Sequence, residues 1–178
     1  MKGLDDQASD ILPMRLIISI SFIAAFLVFL GVGLGNIEGV LEEQKLQQSC
    51  SIIQSELYSL VTSGNPRDLD NLDSKEGSKR IYSINLPDDI IFLAFGVDPD
   101  TMDNITGDGC LIVYKLSNGF KKIIWLPKEV RLRAGLYNGR EWMLSQRGFI
   151  LDKSGVTTLI FELIRQNNIE YVLIYPSR

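Results

Sequence analysis

Residues 16–37 read LIISISFIAAFLVFLGVGLGNI, 22 consecutive positions without a charge. At about 1.5 Å per residue a helix of that length spans roughly 33 Å, enough to cross the hydrocarbon core of a bilayer. A soluble helix that buries one face would carry polar residues every turn, whereas only Ser19, Ser21 and Asn36 interrupt this surface. The run also exceeds the apolar region of a cleaved secretory signal and does not end in an A-x-A-like site. The stretch is therefore read as a spanning helix, and the rest of the chain is placed by reference to it.

Upstream, residues 1–15 (MKGLDDQASDILPMR) are short and mixed in charge. Ser9 or Asp10 can cap a helix whose first turn tolerates Pro13, so the helix is predicted from Asp10. Lys2 and Arg15 precede the span, while Lys45 is the only cation in the fifteen residues after it. That asymmetry predicts a cytoplasmic N-terminus and an exported remainder.

Downstream nothing stops the helix at Ile37. Leu46, Cys50, Ile53, Leu57 and Leu60 follow a 4-3-4-3 spacing with Ile52 and Val61 alongside, the mark of an amphipathic helix. Gly64-Asn65-Pro66 is the stop, with Gly64 suited to a left-handed C′ position and Pro66 unable to continue the ladder. Residues 10–63 thus read as one helix, apolar all round in its first half and amphipathic in its second. Gly31, Gly35 and Gly39 lie four apart on one face, a spacing that lets backbones of neighbouring helices approach, although glycine is also common in spanning helices generally.

Beyond the helix the period changes. Residues 67–79 (RDLDNLDSKEGSK) are polar and aperiodic, a loop. Seven short strands are then predicted at 81–86, 90–95, 111–116, 120–126, 130–134, 157–164 and 169–175, with turns at Ser117-Asn118-Gly119, Asn138-Gly139 and Gln166-Asn167-Asn168. Residues 135–152 carry no clear period. The expected class is α+β: a long N-terminal helix packed on a C-terminal antiparallel β-sandwich or curled sheet. Its parts are a leader at 1–15, a transmembrane or filament-core helix at 16–37, an amphipathic continuation at 38–64 and a β domain at 65–178.

Composition narrows the function. The net charge is −4 with scattered cations, so no basic footprint suggests nucleic acid. The chain has no histidine, the commonest general base and metal ligand. No G-x-S-x-G, P-loop or H-E-x-x-H occurs either, and neither an enzyme nor a cofactor is predicted. Asp98, Asp100, Asp103 and Asp108 share one loop, but an EF-hand beginning at Asp98 would need Asp or Asn where Met102 stands and Gly where Asp103 stands, so this reads as an acidic surface loop. Within it Asn104-Ile105-Thr106 is a glycosylation sequon. Cys50 and Cys110, 60 residues apart in an anchored chain, predict one disulfide, with a buried reduced pair as the other reading.

An apolar helix near the N-terminus, prolonged into an amphipathic half that a β domain can cover, resembles type IV pilin-like proteins, the archaeal branch most closely. Gln7-Ala8-Ser9 is similar to the start of that family's Q-x-S-x-E processing motif, although Ile11 stands where the acid would be and Asp10 is one position early. The resemblance implies a leader removed by a membrane prepilin peptidase, after Asp6 and before Gln7 or else after Gly3. It also implies self-association, or association with other pilin-like subunits, through the N-terminal helix. The first expectation is a structural subunit, major or minor, of a cell-surface filament. The second is a membrane-anchored extracytoplasmic binding module that never polymerises.

Overall fold

The computed structural model describes residues 5–71, 74, 76–101 and 103–177 and, of helix residues 5–13 and 32–39, the backbone only. The chain divides into two units, Met1–Gln44 and Lys45–Arg178. One helix, α1 (Asp5–Ser63, 59 residues), supplies nearly all of the first unit and the opening of the second. Within the described residues it already runs from Asp5, ahead of the start expected at Asp10. It ends at Ser63 as the sequence suggests, by another device. Gly64 is not left-handed; its N–H donates to Leu60 O at 2.9 Å, and a Cβ there would collide with that carbonyl.

The second unit is mostly β, so the class is α+β. After α1 come β1 (Arg67–Asp68), β2 (Lys79–Leu86), β3 (Ile90–Phe95), β4 (Leu111–Leu116), β5 (Lys121–Trp125), β6 (Leu132–Tyr137), β7 (Trp142–Leu144), β8 (Phe149–Leu151), β9 (Gly155–Gln166) and β10 (Ile169–Pro176). The larger sheet runs β1-β9-β10-β6-β7, with β2 also on β9, and the smaller runs β5-β4-β3-β8. The antiparallel expectation needs correcting, for β1 lies parallel to β9 and β10 parallel to β6. Neither pair is joined by a tight turn, so nothing in the connection forces the antiparallel direction.

The hairpins follow local chemistry. Asn167 (φ 50°) and Asn168 (φ 61°) turn β9 into β10, two successive left-handed residues as a type I′ turn requires. Gly119 (φ 86°) turns β4 into β5.

One core is shared by the helix and both sheets. Leu46, Cys50, Ile53, Leu57 and Leu60 of α1 meet Leu159, Phe161, Leu163, Val172 and Ile174 of the larger sheet and Leu93, Phe95, Ile112 and Tyr114 of the smaller. At either side of this stripe α1 touches a sheet edge. Gln54 Nε2 donates to Trp125 O of β5 at 3.2 Å, and Glu56 pairs with Arg80 of β2 at 3.5 Å. Residues 45–63 therefore close the gap between the β2 edge of one sheet and the β5 edge of the other.

Candidate functional site

Among the described residues one helical stretch, Met14–Gly31, is long and apolar enough to cross a membrane, and every residue in it is exposed. Phe29 is 77 % exposed and Phe22 72 %. Its polar side chains do little to soften that surface: Ser21 Oγ donates to Ile17 O at 2.9 Å, which satisfies the hydroxyl within its own helix. A continuous apolar surface of this size marks a lipid or protein contact.

Of the three spaced glycines, Gly31 faces open space: a Cβ built on it would meet nothing within 4 Å. Gly35 and Gly39 lie on the helix, their surroundings outside the described side chains. The same is true of Asp6 and Gln7, and Gly3 lies outside the described residues altogether.

The two cysteines both reach the shared core, yet both are free thiols, and the expected disulfide is not formed. The register along the helix explains this. Leu126 N donates to Cys110 O at 2.8 Å and Cys110 Sγ donates to Lys128 O at 3.6 Å, which sets Cys110 beyond the Trp125 end of β5. The helix passes Trp125 at Gln54, one turn beyond Cys50. One turn is about 5.4 Å along the axis before any sideways separation is added, and a disulfide needs Cα atoms within about 7 Å. Burial pushes the Cys50 thiol up to about 12, and burial raises Cys110 as well, so neither offers a thiolate at neutral pH.

The acidic loop is held down by lysines. Lys121 Nζ donates to both oxygens of Asp98 at 2.7 Å and to Asp100 Oδ2 at 2.9 Å, while Lys115 Nζ donates to both oxygens of Asp100 at 3.1 Å. Hydrogen bonds first from Lys121 and then from Lys115 hold the Asp100 carboxyl below its ordinary value. Asp103 and Asp108 stand exposed. Asn104 is exposed too, while the Thr106 hydroxyl of its sequon accepts the Asp98 N–H at 2.9 Å.

A further polar group emerges only from the fold. Arg67, just after the helix, donates through Nε to Glu162 Oε1 at 2.8 Å, through Nη1 to Glu141 Oε2 at 2.7 Å and through Nη2 to Trp142 O at 2.8 Å. Tyr175 OH donates to Glu162 Oε2 at 2.9 Å, and burial foremost, with the Glu162 charge second, raises the Tyr175 hydroxyl's pKa. In sequence the only sign is Glu162 itself, a carboxylate inside the apolar run 157–164.

Comparison of the chain with protein families, with curated proteins and with solved structures found no match.

Proposed function

We propose that the chain is a structural subunit of a pilin-like cell-surface assembly, anchored or packed through its apolar helix, with the N-terminus cytoplasmic and the β unit outside. The observation that carries this reading is the exposed Met14–Gly31 surface. Burying each of its large side chains is worth about 1.5–3 kcal/mol, which sums to tens of kcal/mol over the stretch. Such a surface belongs in lipid or against other helices. In lipid the hydrophobic term between helices vanishes, and close backbone approach at small residues such as Gly31 supplies the contact instead.

The second unit supports the division of labour. Its core is complete with residues 45–63 as one wall, so assembly through the preceding residues leaves it undisturbed. A sandwich-like arrangement of the two sheets is part of this reading, supported by the core residues they share. A leader cut near Gln7 or Gly3, and a glycan on exposed Asn104, are further parts of this reading.

The second reading is an anchored binding module, favoured by the charged pit around Arg67 described below. Electron microscopy of sheared surface fractions separates the two. The first expects this chain in filaments; the second expects it only in detergent extracts.

A further inference from the structure

On the outer face of the larger sheet lies a pit of about 190 Å3, with Arg67 among its lining residues. Glu162 and Tyr175 form its floor; Glu76 and Lys79 come from the chain leading into β2; Arg140, Glu141 and Trp142 come from the β6–β7 hairpin. We propose that this pit binds one saccharide ring, whatever the role of the apolar helix.

Stability alone does not account for the floor. Glu162 and Arg67 are nearly buried, beside the apolar cluster of Ile164, Leu173 and Tyr175. A well-packed apolar pair in place of a buried ion pair is often as stable or more so, because two charges must be stripped of water. Charges kept there serve to hold a shape. Arg67 fixes the Glu141 carboxylate and the Trp142 carbonyl at 2.7 and 2.8 Å, and so pins the hairpin wall against the floor. Trp142 and Tyr175 stack with centroids 4.5 Å apart and planes 14° apart, a rigid aromatic wall.

The free chemistry is at the rim. Arg140 has no carboxylate within ion-pair distance among the described residues, while its backbone N–H is held by Asn138 Oδ1 at 2.9 Å. Glu141 accepts from Arg67 through only one of its oxygens in that pair. Donors and acceptors therefore stand side by side next to an aromatic edge, with cations and carboxylates equal in number around the pit. A balanced lining favours an uncharged ligand over an anion or a metal ion. A sugar fits because each hydroxyl both donates and accepts, matching a rim where cationic donors and carboxylate acceptors alternate.

The test uses the full chain in detergent, carrying Trp125→Phe so that Trp142 is the sole indole. Glucose, galactose, mannose and N-acetylglucosamine are titrated separately, with glutamate as a charged comparator. At least one sugar is expected to change Trp142 fluorescence saturably with a Kd of about 0.1–10 mM, as suits a single ring. Arg140→Ala, whose side chain takes no part in the Arg67 network, is expected to weaken that binding about tenfold, the worth of one charged hydrogen bond, at unchanged Tm. Saturation by none of the four sugars, saturation by glutamate alone, or a sugar response untouched by Arg140→Ala would overturn the proposal.

Discussion

Arg67 Nε and Glu162 Oε1 meet at 2.8 Å, so the chain just past the helix is locked to the middle of β9, 95 residues away. Removing one partner strands a buried charge. Arg67→Met or Glu162→Leu alone should each cost about 3–5 kcal/mol, whereas the double variant should recover most of the loss. Denaturant melts of the four proteins measure the coupling, and additive single losses would contradict it.

Acid should release the Asp98–Gly109 loop late. The Asp100 carboxyl sits below its ordinary value because Lys121 and Lys115 donate to it. A lowered carboxylate contributes stability above its unfolded pKa and loses it as pH falls through the folded one. The Thr101 and Thr106 amides, bonded to Asp98 O and Gly96 O, should therefore stay protected from hydrogen exchange down to about pH 4 and open below it. Opening already near pH 6 would disagree.

Both cysteines should react with an alkylating reagent once the unreduced protein is denatured, and neither should react quickly before that. Burial keeps Cys50 as the thiol, with its pKa pushed up to about 12. Reductant should leave the Tm unchanged. An intact mass two protons short of the reduced chain would instead mean a disulfide.

Gly31→Leu should weaken assembly without harming the fold. A Cβ at that site meets nothing within 4 Å, and leucine is the better helix former by about 0.8 kcal/mol, so the isolated chain is not penalised. Crosslinked oligomer size in membranes is the readout. An unchanged ladder would remove Gly31 from the packing surface.

Protease added to intact cells should digest the second unit while sparing the apolar helix. Glu76 and Asn104 are exposed, and the proposed topology, based on the cation bias, would put both outside. Full protection of both regions would reverse the topology.

The helix was legible because its stripe obeys one period over many residues, and all five spaced positions from Leu46 to Leu60 are buried. Asn167-Asn168 and Gly119 were legible because few residues accept positive φ. The strands β7 and β8 were not, since three residues cannot display a period of two. Two-residue β1 sits where polarity suggested a loop, held by register with Ile164 and Arg165. For the cysteines, periodicity predicted the face of Cys50 correctly but not its level along the axis, and a disulfide depends on both. The Arg67 site was hidden for a similar reason. Glu162 announced a buried charge, but its partner lies across a chain separation no local pattern spans.

A pull applied at residue 45 enters the second unit along the end of α1. No strand ladder ties residues 45–63 to the sheets; they are held by side chains, by Gln54 on Trp125 and by Glu56 on Arg80. The force acts along the helix axis, so Leu46, Ile53, Leu57 and Leu60 resist in shear and must leave their places together, unlike an edge strand peeled bond by bond. Behind them Asn65 and Ser78 exchange two hydrogen bonds, 2.9 and 2.8 Å long, and Arg67 holds the next position. Because residues 45–63 are both the end of α1 and a wall of the core, the force that pulls them free is the force that unfolds the unit.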